Sequence, residues 1–223
     1  MNHLTVNHEI IDTVIFDFDG TLAELNIDFD FMRKSIDRLI DSYGIDSRSL
    51  KNGYILEKIH EAESLLKTLL PEKAKVFLSD AYHTIEAIEV EAAQRGRLFA
   101  QTRELLSSLT RHDIRMGIIT RNCSRAVYTV FPDILSFCPV VVCREDVERV
   151  KPDPGHLLHA LNLLNASIRH SIMIGDHPLD IRTGRNAGTL TAGVMTGHFR
   201  KNDFIEAGAD IVLNQASDIL TCV

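Results

Sequence analysis

The sequence predicts an α/β protein, with a doubly wound parallel sheet and a small all-helical domain inserted after the first strand. Three observations favour this class. An apolar run at residues 13–16 predicts a buried first strand. Residues 28–95 then show helical spacing only. From residue 97 onward, short apolar runs alternate with helical patterns, which is the order that parallel sheets with right-handed crossovers produce.

The inserted block contains three amphipathic patterns. The first stops at Gly44, which suits a helix C-terminus, and Pro71 either ends the second or opens the third. The predicted domains are residues 1–24 with 97–223, and the helical insertion 25–96. The apolar positions are Met32, Ile36, Leu39, Ile40 and Tyr43, then Ile55, Ile59, Ala62, Leu66 and Leu69, then Ala74, Phe77, Ala81, Ile85, Ile88 and Ala92.

The remaining elements alternate. A helix carrying Leu105 and Leu109 precedes the next strand, and either Pro152 or Pro154 is placed to open a later helix. Another helix is expected at residues 181–187. Predicted strands lie at residues 114–119, 140–143, 171–174, 192–194 and 211–213. This order predicts a Rossmann-like, doubly wound sheet.

Composition excludes several classes of protein. The chain has 223 residues, of which 45% are hydrophobic and 25% charged, as in an ordinary globular protein. Its net charge of −7 disfavours nucleic acid or an anionic membrane as a partner. No apolar run approaches the roughly 18 residues of a membrane span, and residues 1–12 lack a signal-peptide hydrophobic region. A cytoplasmic protein, monomeric or homodimeric, is expected, with its four cysteines reduced.

Two acids follow the first strand directly. Asp17 and Asp19 are spaced by two, so along a strand their carboxylates point to the same side. Two adjacent carboxylates repel each other, and oxygen-only ligands suit Mg²⁺, which often sits beside phosphate. A strand that simply runs into an Asp-Gly turn is the competing explanation.

Further polar residues follow the later strands or begin a helix: Thr120, Lys151, Asp176 and Asp180. The full set resembles the four signature motifs of the haloacid dehalogenase superfamily, in order and over almost the whole chain. The matching residues are Asp17-Phe18-Asp19-Gly20-Thr21 for the first motif, Thr120 for the second, Lys151 before Pro152 for the third, and Gly175-Asp176 with Asp180 for the fourth. The helical insertion looks like that superfamily's cap, and the chain looks most like its phosphoglycolate-phosphatase-like hydrolases.

The resemblance implies a Mg²⁺-dependent phosphatase. Asp17 would attack phosphorus to give an aspartyl-phosphate, and Asp19 would act as general acid and then as general base. Asp19 should have a pKa raised by the neighbouring carboxylate and by burial. Mg²⁺ would be held by Asp17, by the backbone carbonyl of Asp19 and by Asp176.

Other residues are expected to hold the substrate or to orient these groups. The Thr120 hydroxyl and the Lys151 ammonium would hold the transferring oxygens. Asp180 would orient Lys151 or a metal-bound water. Gly20 and Thr21 would let the backbone approach the phosphate and donate to it. The remaining candidates for contact with the substrate are Arg121, where relatives often have asparagine, and Arg48 and Lys51 in the polar loop 47–53.

The substrate is left open among a phosphoglycolate-like ester, a sugar phosphate and a nucleotide. Phosphoglycolate members usually show Asp-Ser where this chain has Glu24-Leu25, which weakens that particular assignment. A phosphomutase of the same superfamily would use the same core. A dehalogenase proper lacks the second acid, so Asp19 argues against it. A receiver-type phosphate and Mg²⁺-binding module has no helical insertion after its first strand, and an inactive relative would usually have lost a motif.

Overall fold

The computed structural model describes residues 4–51 and 53–222. The chain forms two compact units. One comprises the described residues up to Leu25 and from Gly96 onward, and we call it the α/β unit; the other comprises Asn26–Arg95, and we call it the helical unit.

Strands and α-helices have the following bounds, labelled in chain order. The strands are β1 (Leu4–Val6), β2 (Glu9–Ile11), β3 (Thr13–Phe16), β4 (Ala23–Glu24), β5 (Arg97–Leu98), β6 (Arg115–Ile119), β7 (Val140–Val142), β8 (Ser171–Gly175), β9 (Leu190–Val194) and β10 (Ile211–Leu213). The helices are α1 (Phe29–Ser42), α2 (Ile55–Leu69), α3 (Pro71–Ala93), α4 (Thr102–Arg111), α5 (Ser124–Val130), α6 (Pro154–Leu163), α7 (Pro178–Ala187) and α8 (Lys201–Ala207).

The α/β unit is built on a parallel sheet with the strand order β10-β9-β8-β3-β6-β7. After β3 the chain adds β6 and β7 on one side, then returns to add β8, β9 and β10 on the other. The order therefore reverses between β3 and β8, and such a switch point leaves a crevice at the carboxyl ends of the strands. This architecture confirms the predicted α/β fold with a doubly wound sheet.

The core of this unit consists of the central strands and the helices against them. Every residue of β3 and of β8 is buried, as expected for parallel strands covered on both faces. Ile15, Ile119 and Met173 pack with Leu157 and Leu161 of α6 in one buried cluster. The cluster packs α6 against β3, β6 and β8.

The helical unit consists of α1, α2 and α3. Asp28 caps α1, because its side chain accepts a hydrogen bond from the Phe31 amide at 2.8 Å. Gly44 follows the helix with φ of +86°, a conformation that favours glycine. Tyr43 packs edge-to-face on Phe77 and donates a hydrogen bond to Asp80 at 2.7 Å, which joins α1 to α3.

Several short elements were not predicted. The antiparallel hairpin of β1 and β2 lies in the polar N-terminal segment, and α5 and α8 are seven residues each. Pro154, not Pro152, begins α6, because Asp153 is its N-cap. Across residues 4–51 and 53–222, no helix has the length and apolar composition needed to cross a membrane. The four cysteines are free thiols.

Candidate active site

Asp17, Lys151 and Asp180 meet at the carboxyl end of the sheet. Asp17 follows β3 directly, and its amide donates to the Ile174 carbonyl of β8 at 2.8 Å. The Lys151 Nζ lies 2.5 Å from Oδ1 of Asp17 and 2.6 Å from Oδ1 of Asp180. All three side chains are buried. The structure thus brings together three residues from separate predicted motifs.

Asp176 completes an acidic cluster at the switch point. Carboxylate oxygens of Asp17, Asp176 and Asp180 all lie within 4.8 Å of one another. Burial raises the pKa of Asp176 to about 9, and the charges of Asp17, Asp180 and Asp19 add to that effect. Burial also raises the pKa of Asp17 to about 7, although the Lys151 charge opposes it. One ammonium therefore does not neutralise the carboxylates, and the site favours an added cation.

Two glycines allow the Asp176 carboxylate to pack closely against the backbone. Gly20 has φ of +82°, and a Cβ atom at Gly20 or at Gly197 would overlap the carboxylate of Asp176. The Thr196 hydroxyl donates a hydrogen bond to the Gly20 carbonyl, which ties the two glycine loops together. An oxygen-only donor set with uncompensated charge suits Mg²⁺. The residues therefore fit the predicted metal.

The loop after Asp17 is closed by its own hydrogen bonds. Asp19 accepts a bond from the Leu25 amide at 2.9 Å. The amides of Gly20 and Thr21, expected to face a phosphate, donate to the carbonyls of Ala23 and Phe18 at 2.7 and 3.3 Å. Within the described residues, the buried Thr21 hydroxyl has no hydrogen-bond partner. Contact of Gly20 and Thr21 with substrate remains a prediction.

Thr120 and Arg121 follow β6 at the same edge of the sheet. Thr120 is buried, its amide donates to the Val142 carbonyl at 3.0 Å, and its hydroxyl accepts from the Asn122 amide at 3.2 Å. Arg121 donates from Nη1 to the carbonyl oxygen of Lys151 at 2.6 Å. Arg121 thus braces the loop that carries Lys151, and its contact with substrate remains a prediction.

Two histidines contact this site. The buried His156 accepts the Lys151 amide on Nδ1 at 3.2 Å, and burial lowers its pKa to about 3. His177 accepts the Leu179 amide at 2.9 Å and packs edge-to-face on Phe199, and burial lowers its pKa to about 4. Sequence reasoning missed His156. The available signal was its position in the first turn of α6, two residues after Pro154, which begins the helix that follows the Lys151 loop.

The loop of residues 47–53 belongs to the helical unit. Arg48 is exposed and forms an ion pair with Asp46 at 3.0 Å. The Lys51 amide donates to the Glu61 carboxylate at 3.2 Å, and Asn52 lies outside the described residues. Substrate contact by Arg48 and Lys51 remains a prediction.

Comparison with known proteins identifies relatives of this chain. The family model described as haloacid dehalogenase-like hydrolase matches residues 14–194. A pyrophosphatase, PpaX, of Bacillus cereus is 29% identical over 215 residues, which cover 94% of this chain and 95% of the relative. A hydrolase of Pseudomonas syringae shares the fold with a TM-score of 0.67 at 22% identity, over 94% of this chain and 96% of that chain. A predicted phosphoglycolate phosphatase of Haemophilus somnus has a TM-score of 0.64 at 16% identity, over 95% of this chain and 97% of that chain.

Proposed function

This chain belongs to the haloacid dehalogenase-like hydrolase family, and we propose that it is a Mg²⁺-dependent phosphatase acting on a small phosphate monoester through an aspartyl-phosphate. One observation carries the proposal: a buried carboxylate, Asp17, lies 2.5 Å from a buried ammonium, Lys151, beside two further acids. A carboxylate held against a cation at a switch point is suited to attack an anionic ester.

Asp17 is the nucleophile in this mechanism. An oxygen of its carboxylate forms a bond to phosphorus while the bond from phosphorus to the ester oxygen breaks. Asp19 gives its proton to the leaving alkoxide, and then takes a proton from the water that attacks the aspartyl-phosphate. The second displacement restores Asp17 and releases inorganic phosphate. Two easier steps thus replace one difficult hydrolysis.

Lys151 and Thr120 hold the transferring oxygens. A preorganised donor to a developing oxyanion typically contributes about 10²–10³ in rate. Asp180 also contacts the Lys151 ammonium, at 2.6 Å, and keeps it directed at the nucleophile. We therefore assign Asp180 an orienting role.

Asp17, Asp176 and the Asp19 carbonyl would hold the metal. When bound, Mg²⁺ supplies positive charge that offsets the repulsion between a carboxylate nucleophile and a phosphate. The raised pKa of Asp176, about 9, supports this assignment, as do Gly20 and Gly197, whose lack of a side chain gives the Asp176 carboxylate room.

The leaving group is the open part of the proposal. Phosphoglycolate-like esters, sugar phosphates and nucleotides are the candidates for the monoester. Pyrophosphate is a second candidate, favoured by the name of the relatives that are 29% identical over nearly the whole chain. Both reactions break a bond between phosphorus and oxygen, so the residues above serve either one.

Hydrolysis of 4-nitrophenyl phosphate tests the reaction type. We expect turnover with Mg²⁺, no turnover with EDTA, and no turnover in Asp17→Asn. Asp12→Asn is the matched control, because Asp12 precedes β3 at its opposite end and pairs there with Arg115 at 2.5 Å.

Equal turnover by Asp17→Asn and wild type would contradict the proposal, and so would full activity in EDTA. If all three expectations hold, a panel of phosphoglycolate, sugar phosphates, nucleotides and pyrophosphate, ranked by kcat/KM, identifies the leaving group.

A further inference from the structure

The His156 ring contacts two backbone groups at the catalytic edge. Its Nδ1 lies 3.2 Å from the amide nitrogen of Lys151, and its Nε2 lies 3.1 Å from the carbonyl oxygen of Val142. The amide can only donate and the carbonyl can only accept. A neutral imidazole with its proton on Nε2 therefore satisfies both groups.

The same carbonyl serves the neighbouring loop. Val142 is the last residue of β7, and its carbonyl oxygen also accepts the Thr120 amide at 3.0 Å. Thr120 and Lys151 are thus connected through one carbonyl and one ring. These are the two residues that the mechanism assigns to the transferring oxygens.

We propose that His156 is a positioning residue that fixes the backbone of Lys151 relative to that of Thr120, so that ammonium and hydroxyl reach one phosphoryl group together. The inference deepens the proposed function and rests on it. Reactant alignment is sensitive to small shifts, since a displacement of about 1 Å can cost roughly 10²-fold in rate.

The ring is suited to this task because it stays neutral. It is completely buried, and burial together with the Lys151 charge holds the pKa of His156 at about 3. A protonated Nδ1 would point a hydrogen at the Lys151 amide. At neutral pH the ring therefore keeps both contacts, and it adds no second cation beside Lys151.

Three substitutions separate the two halves of this contact. His156→Asn retains an acceptor near the position of Nδ1, so it can still hold the Lys151 amide. His156→Gln retains a donor near the position of Nε2, so it holds Val142 alone. His156→Leu removes both. Ser171→Ala is the control: it deletes a side-chain hydrogen bond of another buried residue, 2.6 Å from Ser171 Oγ to the Ser167 carbonyl, at the opposite end of the sheet.

The experiment measures kcat and KM for 4-nitrophenyl phosphate, the inhibition constant of orthovanadate, and the Mg²⁺ activation midpoint. Circular dichroism gives the folded fraction of each variant, and kcat is expressed per folded molecule. Orthovanadate can adopt the five-coordinate shape of the transferring phosphoryl group, so it reports the alignment of Thr120 and Lys151. We expect each of the three variants to lower kcat at least about tenfold and to weaken vanadate inhibition similarly, because each one breaks the connection between Lys151 and Val142. KM and the Mg²⁺ midpoint should change little in all three.

The alternative is a histidine that only stabilises the core. In that case all three variants would match Ser171→Ala in kcat and vanadate inhibition per folded molecule, and the inference would be overturned. If His156→Gln does not fold, His156→Asn, which also keeps one of the two contacts, is compared with Ser171→Ala in its place. If wild type shows no turnover, the proposed function fails separately, and equal vanadate affinity of wild type and His156→Gln, measured by thermal shift, would then overturn the inference.

Discussion

The Lys151 ammonium lies between two carboxylates, 2.5 Å from Asp17 and 2.6 Å from Asp180. Burial alone would lower its pKa, but the two carboxylates outweigh burial and hold the pKa above its ordinary value. The lysine therefore stays charged although its side chain is buried. Its charge in turn lowers the pKa of Asp17, against the burial that raises it.

Lys151→Met should lower kcat/KM for an aryl phosphate by at least about 10²–10³, because a preorganised donor is lost and a buried pair of acids loses its counter-charge. Lys201→Met, at the exposed start of α8, is the control for loss of one positive charge. Steady-state kinetics at saturating Mg²⁺ measure both variants. Equal activity of the two variants would show that Lys151 does not contact the reacting group.

Gly197→Ala should weaken Mg²⁺ binding, because the added methyl group would overlap the Asp176 carboxylate and displace it. We expect the Mg²⁺ activation midpoint to rise at least about tenfold, in the range that changes in the support of a metal ligand typically produce. Gly188→Ala is the control: Gly188 has φ of +84° after α7, so alanine there costs about 1 kcal/mol of stability. It should leave the midpoint unchanged. Equal midpoints in the two variants would argue against Asp176 as a metal ligand.

The residues of the site were predictable because of how parallel sheets are built. The strands that precede Asp17, Thr120 and Asp176 end at the same edge, so their following residues converge. His156 could not be predicted in this way, because it lies inside a helix and acts on backbone atoms. Its sequence context shows an apolar helix with a histidine, which is more often a core residue than a functional one.

Among secondary-structure elements, those with long apolar patterns were predicted well. The helices α1, α2 and α3 carry many apolar residues at one spacing, and proline or glycine marks their ends. The strands β1 and β2 have three residues each, and Ile10 in this hairpin is 51% exposed. So few residues provide no periodicity, and the turn at Asn7 and His8, both with positive φ, carries no glycine to mark it.

The first turn of α6 depends on its N-cap. The Asp153 carboxylate accepts the Gly155 amide at 2.8 Å, and Asp153 lies two residues after Lys151. Asp153→Ala should lower the free energy of unfolding by about 1 kcal/mol, whereas Asp153→Asn keeps the acceptor and should lower it by a few tenths. Urea denaturation measures both. Equal losses in the two variants would indicate that the distant ion pair of Asp153 with Arg149, at 3.7 Å, matters more than the cap.

At the scale of the whole molecule, buried ionisable groups make stability depend on pH in opposite directions. Histidines with lowered pKa, His156 and His177, take up protons only on unfolding, so they destabilise the fold as the pH falls. Acids with raised pKa, Asp17 and Asp176, hold protons in the folded state and stabilise it as the pH falls. The unfolding free energy changes little with pH where these effects cancel. The informative quantity is therefore the difference in unfolding free energy between wild type and a variant.

His156→Gln isolates one of these contributions. The pKa of His156 is about 3 in the fold and about 6.5 when unfolded, so its contribution is lost as the pH falls from 6.5 towards 3. Between pH 7 and pH 5, wild type should lose about 2 kcal/mol more unfolding free energy than His156→Gln. The exposed His159→Gln is the control and should track wild type. Parallel curves of unfolding free energy against pH for wild type and His156→Gln would contradict a neutral buried ring.

The central claim is that Asp17 becomes phosphorylated, and Asp19→Asn tests it most directly. Nitrophenolate leaves without a proton, so this variant should still transfer the phosphoryl group to Asp17 but lack the base that releases it. Stopped-flow absorbance with 4-nitrophenyl phosphate and Mg²⁺ should show a burst of about one nitrophenolate per folded molecule, followed by a slow phase. The burst should be absent in the double variant that carries Asp17→Asn as well as Asp19→Asn. The phosphoryl group should be found by mass spectrometry on the peptide that contains Asp17. Steady turnover without a burst and without that modification would contradict the account.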